Sequence, residues 1–221
     1  MGFESWDDHE IKELNSDIVI INILDVLRKQ KPELLISAFD DGYDIDHNID
    51  VDPHVWLDPI IVKSISIIIR DSIINIDETN TKYYKENTEL YLTNLDKLDN
   101  EIKSTLNECK SDKFITFHEA FGYFAKRYDL QHVSLSGFAP DSEISGNKIK
   151  TIIDFMNDNN IKVIYSEELV DLKFTETISS EVNAKILLLS PIERLTEEEI
   201  NQQVTYFDKM MQNLNNIEIG L

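Results

Sequence analysis

The chain has 221 residues, with 42 Asp and Glu against 21 Lys and Arg, a formal charge of −21. Hydrophobic residues make up 42% and charged residues 29%, an ordinary balance for one large globular domain or two small ones. This acidity gives no general attraction to phosphate backbones or anionic membranes, and its long-range field favours cationic partners, metal ions among them.

Six glycines fall at no spacing that makes a dinucleotide fingerprint or a phosphate-cradling loop, and no nucleophile elbow is present. The single cysteine, Cys109, excludes an internal disulfide and a thiolate metal cluster. Met1 to Trp6 carry no signal-peptide pattern, and the apolar runs are too short or too interrupted to span a bilayer. The expectation is a chain without nucleic-acid binding and without direct membrane insertion.

Ile18-Val19-Ile20-Ile21 reads as a buried strand or the start of a helix. Residues 40–52 form an acidic loop holding His47. Asp58-Pro59 marks a helix start, because Asp caps well and proline lacks only an N–H that would go unpaired there. Residues 60–74 continue that helix, apolar on more than one side, so it is expected to be largely buried. Tyr83 to Leu106 contains no Gly or Pro and repeats apolar residues every three or four positions, a single helix of roughly 36 Å.

Beyond Lys110 the pattern alternates. Strands are expected at 114–117, 133–135, 163–165 and 186–189, with helical stripes at Ala120–Tyr128, Ile149–Met156 and Phe174–Val182. A last helix begins at Thr196 with a Thr196/Glu199 capping box and carries Ile200, Val204, Phe207, Met211 and Leu214 on one face. The fold class expected is α/β, a mostly parallel sheet covered by helices.

Three residues stand out as ligands. His54 lies in Asp52-Pro53-His54-Val55-Trp56-Leu57-Asp58-Pro59, where two prolines and a helix cap restrict the backbone and hold a side chain in one direction. A histidine filling a tight turn is the open alternative. His118 directly follows the strand at 114–117, at the end where ligand crevices form in parallel sheets; a helix-capping histidine is the alternative. Glu193 lies just past the strand at 186–189, at the same topological level, and by itself is one surface acid among many. Two imidazoles and one carboxylate make an N/O site that suits Zn²⁺, with Mn²⁺ less preferred and Ca²⁺ disfavoured. Such a site should lose affinity as pH falls through roughly 6.5, the ordinary histidine value.

These segments resemble a family. Asp52–Pro59, Phe117-His118-Glu119-Ala120-Phe121-Gly122-Tyr123-Phe124-Ala125, Phe138–Glu143, Tyr165–Glu168 and Ser190–Glu193 occur in the order found in the zinc/manganese solute-binding proteins of ABC importers. The resemblance implies two α/β lobes joined by a long helix, here Tyr83–Leu106. It implies His54, His118 and Glu193 as metal ligands, zinc as the ion, an ABC importer permease as partner and an extracytoplasmic location. It also implies a division into a first-lobe part at 1–58, linking helices at 59–110 and a second lobe at 111–221. Gly2–Trp6 resembles a segment from late in the first lobe, so the expectation is a chain that starts partway through the family sequence, without that lobe's own histidine. Two alternatives stand beside this, the first from the three-ligand set and the second from the missing lobe. One is a zinc-dependent hydrolase with an open coordination position and Glu119 nearby. The other is a non-binding remnant or adhesin-like protein.

Overall fold

Parallel strands joined by helices organise most of the computed structural model, which describes residues 18–37, 51–137, 146–168 and 172–221. His9, His47, most of the acidic loop and the segment Phe138–Glu143 lie outside the described residues. Contacts group the chain into one unit ending at Leu35 and another running from Ile36 to Leu221.

In the first unit, α1 (Ile23–Gln30) is capped by Asn22, whose side chain accepts from the Asp25 amide. Ile18 to Ile21 are neither strand nor helix, and Val19 is 61% exposed. A buried strand or the start of a helix was expected from the apolar run alone; among the described residues no strand pairs with it, and the helix starts only at Ile23.

In the second unit, the expected cap is present. Asp58 Oδ1 accepts from the amides of Ile60 and Ile61 and starts α2 (Pro59–Ile76). The other carboxylate oxygen of Asp58 receives Arg127 of a later helix. Only the first turns of α2 are buried, however; Ile69, Ile73 and Ile76 are 44%, 38% and 66% exposed. The expectation of a largely buried helix fails there, because the far half packs mainly on α3 (Thr81–Leu106), which covers one side of it. The long helix stands as read.

The strands are β1 (Lys113–Thr116), β2 (Gln131–Ser134), β3 (Val163–Ser166) and β4 (Lys185–Leu188). Each pair, β1 with β2 and β3 with β4, is parallel, and β1 lies beside β3. Parallel pairing requires a crossover, and the crossovers are α4 (Gly122–Arg127) and α6 (Lys173–Val182). Alternate strand residues face opposite sides. Phe114, Val163 and Tyr165 enter a cluster with Leu98, Ile102, Phe121, Leu214 and Ile217. Ile115 and Ile164 enter another with Ile152, Met156 and Ile178 of α5 (Gly146–Asp158) and α6. The strands thus form two parallel pairs rather than the single expected sheet, and the neighbouring β1 and β3 are covered on both faces, as near-continuous apolar strands require.

The helix expected from Thr196 is two helices. The Thr196/Glu199 capping box starts α7 (Glu197–Asn201), and a second box, Thr205/Asp208, starts α8 (Tyr206–Gly220). Between them Gln203 adopts a left-handed φ of 55°. Ile200 is consequently 60% exposed rather than part of the apolar face. Among the described residues no helix is long and apolar enough to cross a membrane.

Candidate metal centre

The carboxyl ends of the strands carry the site. Chain leaving β1 reaches His118 within two residues, chain leaving β3 reaches Glu167 at once, and chain leaving β4 reaches Glu193. His54 arrives differently, from the turn preceding α2, where Val51 bridges to Ser37 and the 3-10 turn Val55–Leu57 follows.

His54, His118 and Glu193 come together. Each offers one ligand atom, and these atoms all lie within 4.8 Å of one another. Glu193 Oε1 is 3.6 Å from Nε2 of His54 and 3.6 Å from Nε2 of His118. The two rings are edge to face, with centroids 5.3 Å apart. A separation of 3.6 Å is too long for a hydrogen bond. It is close to the ~3.4 Å that separates neighbouring ligand atoms around a tetrahedral ion with bonds of about 2.1 Å.

Each ring is held by its other nitrogen. His54 Nδ1 is 2.8 Å from Asp52 Oδ1, which also accepts the His54 amide at 2.9 Å. His118 Nδ1 is 2.6 Å from Glu167 Oε1, which accepts the His118 amide at 3.2 Å. A carboxylate can only accept, so both Nδ1 atoms carry protons and both Nε2 atoms turn toward Glu193. His118 Nε2 is buried and makes no hydrogen bond. Such a carboxylate–imidazole pair fixes ring orientation and raises ligand basicity.

Sequence reasoning missed Asp52 and Glu167. The available signals were an acid two residues before His54 and the residue directly after a strand. Gly122 belongs to the same construction: a Cβ there would lie 2.9 Å from Asp52 Oδ2, so a side chain would press on the group that holds His54. Tyr123 donates to the Asp52 carbonyl at 2.8 Å.

The loop bearing Glu193 is tied on several sides. Asn213 of α8 accepts the Ser190 amide and donates to the Ser190 carbonyl. Trp56 Nε1 donates to the Pro191 carbonyl at 2.7 Å, linking this loop to the His54 segment. Ile192 is a β-branched residue at φ 58°, a strained conformation directly before Glu193.

Burial works against charge on His118, but Glu167 and Glu193 outweigh it and push its pKa up to about 9. For His54, burial is likewise outweighed, by Asp52 and Glu193, and the pKa is raised. His118 and His54 together hold Glu193 well below the usual carboxylate range. Without a cation, the carboxylates around the two imidazoles therefore favour the protonated form of each, most strongly at His118. The window for proton competition moves up from the 6.5 expected for ordinary histidine.

Glu119, considered above as an acid near the metal, turns elsewhere. Its carboxylate accepts from Ser134 and lies 3.7 Å from His132 Nδ1.

Two buried, carboxylate-backed imidazoles beside a partly exposed carboxylate make an N/N/O donor set that suits a transition metal. Residues 1–220 match the family described as ZnuA, zinc-uptake complex component A periplasmic, and the chain belongs to that family. It is 36% identical over 171 residues to the high-affinity zinc uptake system protein ZnuA of Bacillus subtilis, covering 77% of this chain and 54% of that protein. It is 37% identical over 175 residues to the zinc-binding protein AdcA of Streptococcus pyogenes, covering 78% of this chain and 34% of that protein. The crystal structure of the metal-dependent lipoprotein YcdH from Bacillus subtilis superposes with a TM-score of 0.70 at 35% identity, covering 82% of this chain and 68% of that one. The fold is the α/β fold of these two-lobe proteins, and the chain spans about half or less of the length of the curated relatives it matches.

Proposed function

We propose that this chain captures Zn²⁺ outside the cytoplasm and hands it to the permease of an ABC importer, with His54, His118 and Glu193 as its ligands. The observation that carries the reading is the pairing of a three-atom cluster within 4.8 Å with a buried carboxylate behind each imidazole. Family membership and the zinc-binding names of the relatives support it. The reading is binding without turnover. Mn²⁺ is disfavoured because two nitrogens suit a softer ion than an oxygen-rich shell does.

Titration of the chain with zinc against a competing chelator tests it. His118→Ala and Glu193→Ala should both weaken binding, and unchanged affinity in both would remove the site. Zinc-dependent cleavage of simple esters would replace capture with hydrolysis.

A further inference from the structure

Lys209 has no part in the cluster above, yet its environment is unusual. It sits in the second turn of α8, and its side chain is 1% exposed. Its ammonium donates to Glu168 Oε1 at 2.5 Å and to Glu199 Oε1 at 2.7 Å. Burying an ammonium and its partners takes several kcal/mol of desolvation, and apolar replacements of buried ion pairs are often no less stable. Net stability therefore does not account for the arrangement.

What the ammonium joins does. Glu168 is the residue after Glu167, whose carboxylate orients His118 through both Nδ1 and the amide. Glu199 is the capping-box acid of α7: its Oε2 accepts the Thr196 amide at 2.8 Å and hydroxyl at 3.0 Å. Thr196 follows Glu193 by three residues. One buried charge thus ties the chain leaving β3 to the chain between β4 and α7, the two segments that bring carboxylates to His118 from opposite sides.

Resting on the proposed zinc-capture reading, we infer that Lys209 is a positioning residue, an ionic clamp that sets the spacing of Glu167 and Glu193 about His118 and so tunes metal affinity. It touches no ligand atom. Burial disfavours its charged form, but Glu168 and Glu199 more than offset this, so the ammonium keeps its proton.

The test compares Lys209→Met, Lys209→Arg, Glu168→Gln and the core variant Ile152→Val, each titrated with Zn²⁺ and with Co²⁺ as a visible-absorbing reporter of coordination. Lys209→Met should weaken Zn²⁺ binding by up to about tenfold, below the ~10–100-fold range for groups bonded directly to a ligand, and alter the Co²⁺ spectrum. Lys209→Arg should restore most of the affinity. Glu168→Gln, which leaves Lys209 one carboxylate, should fall between. Ile152→Val should lower thermal stability and leave the Co²⁺ spectrum as it was, which separates positioning from general loosening. A folded Lys209→Met protein with unchanged spectrum and affinity would overturn the clamp. If Lys209→Met does not fold, Glu168→Gln decides, and unchanged spectrum and affinity there would overturn it equally. His118→Ala keeps the two readings apart: if it strongly weakens binding while Lys209→Met leaves affinity and spectrum unchanged, only the clamp fails; if His118→Ala too is without effect, both fail.

Discussion

Two buried imidazoles in this protein are joined by one threonine and have opposite fates. Thr116 donates its hydroxyl proton to the His118 carbonyl, so its oxygen can only accept from His132 Nε2, 2.6 Å away. His132 is consequently the Nε2–H tautomer, stacked on Phe114 at 4.9 Å, and its bare Nδ1 has no hydrogen bond. Burial, with lesser repulsion from His118 and His54, drives its pKa down to about 3. The nearby Glu119 carboxylate, 3.7 Å away and engaged by Ser134, does not reverse this. His118 is equally buried, but Glu167 touches its ring and Glu193 faces it, so its pKa goes up to about 9. Depth in the core does not decide the charge of an imidazole here; carboxylates facing both nitrogens do.

The sharpest way to break this contrast is to remove each ring. His118→Ala should weaken zinc binding by more than the ~100-fold upper range of supporting residues, whereas the neutral His132→Gln should cost less than about tenfold. Equal losses in chelator competition would abolish the distinction between ligand and core histidine.

Removing the carboxylate behind His118 is next in size. Glu167→Gln should weaken zinc about 10–100-fold and lower the His118 pKa, read from the ring's proton resonances. A His118 pKa still near 9 would mean that Glu193 alone sustains it.

The third effect is in the pH dependence of capture. Zinc needs a bare Nε2, and His118 keeps its proton up to about pH 9. Affinity should rise about tenfold per pH unit for each proton displaced, level off near that value and be accompanied by proton release in calorimetry at pH 7.5. A plateau reached already near pH 6.5 would contradict the upward shift.

Stability of the metal-free chain should carry the opposite signatures of the two rings. The unfolded His132 takes a proton below about 6.5 while the folded one resists to about 3, so stability present above 6.5 is lost as pH falls through that window. His118 contributes stability in full below 6.5 and loses it as pH rises toward 9. Urea unfolding of His132→Gln should show a flatter acid limb than the unsubstituted chain.

The smallest effect is expected at Gly122→Ala. Its Cβ would meet Asp52 Oδ2 at 2.9 Å and should loosen His54 alone, with a loss of zinc affinity below about tenfold and no change at His118. A change at His118 would mean that the two ligand supports are coupled.

Much of this was legible in the residues. The Asp58-Pro59 cap, the long helix and the strand–helix alternation are local, and local pattern suffices when a period of 3.6 or 2 is matched by packing on the observed faces. The break at Gln203 was also local, since Thr205/Asp208 is a second capping box, but an apolar face continuing through Phe207 and Met211 concealed it. The exposure of Ile69, Ile73 and Ile76 was not legible, because apolarity does not say whether a neighbour is present.

At the site, position along the chain picked out His54, His118 and Glu193, since residues just past parallel strands, or locked between prolines, are where ligands gather. It could not pick out Asp52, Glu167 or Lys209 from among so many acids and bases. Their roles depend on which carboxylate meets which ring nitrogen in a desolvated space, over separations as long as the 49 residues between His118 and Glu167. Local sequence set the elements and the candidate donors; tertiary packing alone set the distances, and with them which imidazole holds its proton and which gives it up.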